Sequence, residues 1–236
     1  MSVERLLPDG RRGEHGGDVA GRDGDFGLIE TLAYARLTGF VLLDEHMRRL
    51  TRSAAELDFE FDEEGAREQL QHVAFHAPEN SLRLRLVLWR DGECEVTREA
   101  LLLQPTGAVW NVAIAERKFH SAMPLLRHKT TRRALYEDEL AHARQAHGAD
   151  EVIFLNERGE ICEGARTNVF LRRDGVLATP PLTSGLLPGV LRASLLASGE
   201  AREAVLRQGD LARGELFMGN SVRGLVAACL IAAAPA

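Results

Sequence analysis

Of the 29 basic residues in this 236-residue chain, 27 are arginine, and only Lys118 and Lys129 are lysine. A guanidinium stays charged and is no amine nucleophile, whereas a desolvated lysine can lose its proton and form a Schiff base with a carbonyl. In a sequence that uses arginine almost everywhere, a retained lysine is either chemical or a surface residue left by drift. Lys129 lies in RHKTTRRALYEDEL, residues 127–140. A second group with chemical potential is the pair Arg83 and Arg85 in SLRLRLVLWRDGE. An arginine fork fits a carboxylate through two parallel hydrogen bonds, so such a pair is either an anion-binding wall or a solvated face. A third is TSGLLPGVLRASLLASG, where Pro188 and Gly189 precede an apolar helical run. The free N–H groups of a helix start favour phosphate, although many helix starts bind nothing. Near the carboxyl end, LFMGNSVRGLVAACL sets Asn220 and Ser221 between two apolar segments, offering a hydroxyl for a further phosphate contact.

The elements that must carry these residues follow from hydrophobic period. FGLIETLAY and GFVLLD, separated by ARLT, read as strand, turn and strand. EHMRRLTRSAAELDF repeats Met47, Leu50, Ala54 and Leu57 at helical spacing; Arg49 falls at the edge of that stripe and can reach inward, whereas Arg48 points away. A second amphipathic helix is expected through EEGAREQLQHVAFHA. In the next segment Leu82, Leu84, Leu86 and Leu88 share one face of a strand, leaving Arg83, Arg85, Val87 and Trp89 on the other. QPTG at 104–107 reads as a boundary. Beyond it come a strand at VWNVAIA, a loop to Lys129, a helix to about His147, a strand at EVIFLN, and a hairpin in RTNVFLRRDGVLATP.

Length allows one large domain or two of about 100–120 residues. A formal charge of -6 and a pI near 5.8 exclude a basic field of the kind that holds nucleic acid. Cys94, Cys162 and Cys229 form no CxxC metal site and no paired framework, which fits free thiols in a reducing compartment. The first 25 residues are polar and Gly-rich, without the apolar core of a signal peptide, and the apolar run near the carboxyl end is broken by Arg223 and too short for a bilayer. These features predict a cytoplasmic protein with no metal site and no nucleic-acid or membrane partner.

Six stretches, in order along nearly the whole chain, resemble the fold type IV (class IV) pyridoxal phosphate enzymes: FGLIET (26–31), HMRRL (46–50), RHKTT (127–131), ICEGARTNVF (161–170), TPPLTSGLLPGVLR (179–192) and FMGNSVRGL (217–225). The family includes branched-chain and D-amino acid aminotransferases and 4-amino-4-deoxychorismate lyases. The resemblance implies an α/β (α+β) fold of two domains, D-amino acid aminotransferase-like: a small amino-terminal α/β domain over 1–105, a larger cofactor-binding domain over 106–236, and an active site between them. It implies pyridoxal 5'-phosphate as cofactor, a small-molecule substrate and a homodimer. Lys129 matches the lysine that forms the Schiff base with the cofactor and then acts as base at the substrate's amine-bearing carbon. Arg49, the backbone of Val190 and Leu191, and Ser221 match phosphate-binding positions. Glu163 matches the carboxylate that keeps the pyridine nitrogen protonated. Asn168 is expected behind these, and Lys118 matches nothing.

Two departures bear on the branch. The family's usual amino-terminal strand is absent, replaced by a shortened Gly-rich segment. The tyrosine that some aminotransferases place five residues after the lysine is also missing, since position 134 is alanine and the nearest is Tyr136, to which no role is transferred. LIET, HKTTRRALYE and GNSVRGL look most like the aminodeoxychorismate lyase branch. That likeness implies cleavage of 4-amino-4-deoxychorismate to p-aminobenzoate and pyruvate, with Arg83 and Arg85 candidates for the substrate carboxylate and Thr31 for a hydroxyl near the leaving group. The alternatives are transamination of a D-amino acid or a branched-chain L-amino acid by the same Lys129 and Glu163, and a cofactor-binding protein without catalysis.

Overall fold

LIETLAYA forms β1, Leu28–Ala35, a strand whose Leu28, Glu30 and Leu32 are buried on one face and whose Tyr34 on that face is half-buried. It runs antiparallel to β3, Ser81–Leu88, from Leu28 opposite Leu88 to Ala35 opposite Ser81. The computed structural model from which this is read describes residues 26–102 and 104–231; the Gly-rich lead-in, and with it the expectation about the amino-terminal strand, lies outside the described residues. With β2, Gly39–Phe40, and β4, Cys94–Ala100, these strands form a sheet of order β2-β1-β3-β4. The expected second strand over GFVLLD is thus only two residues long. Leu42 takes a left-handed conformation at φ 54, which ends the ladder and turns the chain into α1, Leu43–Glu56.

Helix α1 and α2, Glu63–Phe75, cover one face of this sheet, where Leu28, Leu32, Leu82, Leu84, Leu86 and Leu88 are buried with Met47, Leu50 and Leu70. The Asp62 side chain caps α2 by accepting from the N–H of Gly65 at 3.1 Å. Each fully buried leucine is worth about 1.5–3 kcal/mol. A slip of one residue would drive Arg83 and Arg85 into this core, so the register that turns them the other way is strongly fixed.

The second sheet contains β5 (Val109–Ile114), β6 (Glu151–Leu155), β7 (Ile161–Gly164), β8 (Asn168–Arg173), β9 (Val176–Thr179), β10 (Ala201–Glu203), β11 (Glu215–Asn220) and β12 (Gly224–Leu230). Its order is β10-β9-β8-β11-β12-β5-β6-β7, and a further pairing of Glu163 with Asn168 closes β7 back onto β8. Val112, Ile153, Ile161, Val169 and Met218 are buried together among these strands. Helix α3, Ala134–His147, packs against Phe154 and Val152 through Leu140 and Ala143 and ends at Gly148, whose φ of 65 suits a residue without a Cβ. The short α4 is Val190–Ala197. The two sheets are joined along the main chain beside Lys129: the N–H of Ile29 donates to the Lys129 carbonyl at 2.7 Å, and that of Thr131 to the Gly27 carbonyl at 2.9 Å.

Candidate active site

Lys129 is held by that main-chain pairing, an isolated antiparallel bridge between Leu28 and Thr130, with the Gly27 N–H also donating to Thr131 Oγ1 at 3.0 Å. The residue opens onto a cleft of about 1240 Å³ between the two sheets. Burial, followed by the nearby cations of Arg133 and Arg49, pushes its amine from 10.5 down to about 7, against the pull of Glu30 and Glu163. A substantial neutral fraction of this amine exists at physiological pH, as nucleophilic attack and proton abstraction require. Lys118, by contrast, is exposed.

Glu163, on β7, is buried at the same cleft. Its Oε1 accepts from the Tyr136 hydroxyl at 2.9 Å and its Oε2 from the N–H of Leu187 at 3.1 Å. Burial raises its carboxyl to about 7, and these two hydrogen bonds, with the charges of Arg133 and Lys129, oppose the rise. Tyr136 itself is set edge-on against Phe119 and Phe154, with ring centroids 5.2 and 5.3 Å away. The family tyrosine is therefore missing at 134, yet a different tyrosine of the same helix reaches the carboxylate. Sequence reading left Tyr136 without a role; its place in the first turn of α3, after the lysine segment, was the available signal.

Glu30 was also overlooked, and it organises the opposite side of the cleft. The two-residue period of β1 puts it on the same buried face as Leu28 and Leu32, at 1% exposure. Arg49 grips its carboxylate with two prongs, Nε to Oε1 at 2.8 Å and Nη2 to Oε2 at 2.5 Å. The Nδ1 of His46 lies 2.5 Å from Oε2, while Nε2 of the same ring shares a hydrogen bond of 2.9 Å with Ser221 Oγ. Burial would raise the Glu30 carboxyl, but Arg49 and His46 outweigh it and hold the group at about 2. A charged residue on the apolar face of a strand, together with His46 and Arg49 spaced three apart on α1, was a readable sign of this pairing.

Arg49 Nη1 also donates to the Pro188 carbonyl at 3.4 Å, which brings the guanidinium to the start of α4. No side chain caps that helix, so its first-turn N–H groups, those of Val190 and Leu191 among them, remain available. A Cβ on Gly189 would come within 1.9 Å of Asn168 Oδ1, so the turn into α4 can pack this closely only with glycine. Asn168 Nδ2 in turn donates to the Leu187 carbonyl at 3.0 Å. The Leu191 side chain points away and packs against Phe170 and Phe217, leaving its backbone as the part relevant to the cleft.

The wall facing these groups comes from the solvent-side face of β1 and β3. Ile29, Thr31, Val87, Arg85 and Arg83 line the cleft, with Thr31 directly opposite Arg85 in the ladder. Arg83 Nε is 3.1 Å from Glu99 Oε1. Arg85 Nε is buried without a hydrogen-bond partner. Thus the cleft gathers Thr31, Arg49, Arg83, Arg85, Lys129, Glu163, Val190 and Ser221, drawn from seven separate segments. Among the described residues there is no metal-ligating cluster and no helix long and apolar enough to cross a membrane.

Comparison with known proteins agrees with this arrangement. A solved structure named "Putative amino-acid aminotransferase", from Mesorhizobium loti, is 46% identical, has a TM-score of 0.82, and is matched over 88% of this chain and 100% of its own. A "Putative aminodeoxychorismate lyase" from Schizosaccharomyces pombe is 28% identical over 216 residues, which is 86% of this chain and 89% of that protein. The branched-chain-amino-acid aminotransferase of Escherichia coli K12 is 40% identical over 76 residues, 32% of this chain, and the match spans only 25% of that relative's length. The model of the family "Amino-transferase class IV" matches residues 27–231, from the first residues of β1 to the end of the second sheet. That match takes in both walls of the cleft, and the chain belongs to the class IV amino-transferase family of pyridoxal phosphate-dependent enzymes.

Proposed function

We propose that this protein is a pyridoxal phosphate-dependent lyase that converts 4-amino-4-deoxychorismate to p-aminobenzoate and pyruvate, the step that supplies the aromatic amine of folate. The observation that carries the proposal is a lysine amine held at about 7 in a cleft whose opposite wall bears arginines. The likeness to the Schizosaccharomyces pombe protein, which extends over 86% of the chain, favours the lyase branch. In this reading the two sheets belong to two domains, 1–105 and 106–236, and the enzyme works as a cytoplasmic homodimer.

The donor set suits the cofactor. Arg49, Ser221 and the first-turn N–H groups of Val190 and Leu191 hold its phosphate, a combination of charge, hydroxyl and helix terminus that recurs at phosphate sites. Glu163 pairs with its pyridine nitrogen, and Tyr136 steadies that carboxylate from behind. Bound there, pyridoxal phosphate supplies an aldehyde that exchanges amines with Lys129 and a ring that accepts electrons released at the substrate carbon.

The protein's own part in the reaction is proton movement and orientation. Lys129 takes the hydrogen of the substrate's amine-bearing ring carbon as a proton. The carbon–oxygen bond to the enolpyruvyl group on the neighbouring carbon then breaks, the ring becomes aromatic, and the released enol tautomerises to pyruvate. Arg85 holds a substrate carboxylate, Arg83 supports it, and Thr31 offers its hydroxyl near the departing oxygen. Transamination of an amino acid is the second reading, and the 46% identity to the Mesorhizobium loti protein supports it.

Incubation with aminodeoxychorismate, and separately with D- and L-amino acids plus 2-oxoglutarate, tests the choice. The lyase releases p-aminobenzoate and pyruvate in equal amounts and forms little glutamate. Glutamate at ordinary enzymatic rates without p-aminobenzoate would establish the transaminase instead.

A further inference from the structure

The cleft carries more positive charge than a single carboxylate requires. Among the other arginines that line it, three come from three separate segments: Arg83 on β3, Arg166 in the loop after β7, and Arg223 in the turn between β11 and β12. One side chain holds the last two segments together. Asn220 Oδ1 accepts from the N–H groups of Val222 and Arg223, each at 3.0 Å, and its Nδ2 donates to the Arg166 carbonyl at 3.1 Å. The Arg223 guanidinium lies 5.7 Å from the ring centroid of Trp110, a contact that steers a cation without neutralising it.

Countercharge nearby is already committed. Glu99 pairs with Arg83. Glu151 is buried and accepts from the N–H groups of Val152, Ala165 and Arg166 and from the Thr167 hydroxyl. Among the described residues, neither Arg166 nor Arg223 has a carboxylate within ion-pairing distance. Burial, then the charges of Arg83 and Arg166, lower the pKa of Arg223 from its ordinary value against the weaker pull of Glu99 and Glu151, as expected where converging cations outweigh the anions nearby. Such convergence costs stability unless a ligand supplies the missing negative charge.

We propose that Arg166 and Arg223, supported by Arg83 and framed by Trp110, form a second anion subsite at the rim of the cleft, so that the enzyme selects substrates carrying two carboxylates. One carboxylate meets Arg85; the other, distant from the reacting amine, meets Arg166 and Arg223. The inference rests on the cleft being the substrate site, but it does not depend on which bond the enzyme breaks.

The test uses holoenzyme and two unreactive probes without an amine: chorismate, which has a ring carboxylate and an enolpyruvyl carboxylate, and shikimate, which has the ring carboxylate alone. Calorimetric titration should show a preference for chorismate. Arg166→Gln and Arg223→Gln should each weaken chorismate binding by about 10- to 150-fold, the range of a charge-assisted hydrogen bond, and leave shikimate binding and the cofactor's visible absorption unchanged, with no fall in the thermal midpoint. Equal wild-type affinities for the two probes, variants that bind chorismate as wild type does, or equal losses for both probes would overturn the subsite. A chorismate preference in an enzyme that makes no p-aminobenzoate would instead refute the lyase reaction and leave the dicarboxylate subsite standing.

Discussion

Two sides of one cleft solve the problem of charge in opposite ways. Around Glu30, the carboxylate, Arg49, His46 and Ser221 are committed to one another by hydrogen bonds of 2.5–2.9 Å, and the charged members are almost wholly buried. Elsewhere in the cleft, Arg85 on β3 has a buried Nε without a partner, and Arg166 and Arg223, in loops of the second sheet, are exposed with no ion pair among the described residues. The first arrangement is complete before any ligand arrives and so loses little freedom on binding. The second is complete only with an anion present. A preformed grip suits a group that every turnover reuses, whereas an unfilled one discriminates among the molecules that come and go.

The largest effect should come where the two sides meet. Lys129→Ala should lower kcat by at least about 10³-fold, within the range of a positioned general base, and the variant should keep the Glu30 cluster intact. Borohydride treatment of wild-type holoenzyme should fix the cofactor on the tryptic peptide 128–132; label at Lys118 would contradict the assignment. Because burial leaves the amine at about 7, cofactor capture by the apoprotein should accelerate between pH 6 and 8, as the neutral amine accumulates.

Glu30→Gln tests whether the closed cluster owes its order to the buried ion pair. The carboxyl sits at about 2 in the folded protein against an ordinary 4.5, so its contribution is present above about 4.5 and is lost as pH falls through about 2. By linkage that contribution is about 3 kcal/mol near neutrality. Urea unfolding at pH 7 should show the variant less stable by roughly that amount, with a gap that narrows on acidification toward pH 3. A gap independent of pH would assign the loss to packing rather than charge.

The open wall should respond more mildly. Arg85→Lys keeps the charge and loses the two-pronged geometry, so kcat/KM should fall about 10- to 150-fold with the cofactor spectrum intact. Arg83→Lys should cost less, since Arg83 already shares its charge with Glu99. Full activity in both variants would make this face a solvated one and remove the contrast.

In the first sheet and its cover, β1, β3, α1 and α2 were legible, helped by strict periods of burial such as leucine at every second position of β3 and Met47, Leu50 and Ala54 along α1, whereas the mostly exposed edge strand β4 was not read from the sequence. Lys129 was legible from the rarity of lysine, and Arg49 from its place on the helix. Much of the second sheet was not. Its order pairs β12 with β5 and β8 with β11, contacts between residues far apart in the chain that no local pattern encodes. The same limit hid the pairings of Glu30, His46 and Tyr136: a local pattern can mark a polar residue as inward-facing, but it does not name a partner that lies 16 to 175 positions away. The two-residue β2 shows the converse, a local backbone conformation at Leu42 overriding an apolar pattern that suited a longer strand.

The hydrogen bonds that join Ile29 to Lys129 and Gly27 to Thr131 also have a mechanical meaning. If the two sheets swing apart to admit or release a molecule, a rotation about this seam leaves it whole and breaks instead the side-chain bonds of His46 to Ser221 and of Arg49 to Pro188. Points on a pivot move least. The lysine therefore stays in register with β1 while residues farther along the cleft, the arginine rim among them, sweep through larger arcs, and the chemistry is spared the motion that access demands.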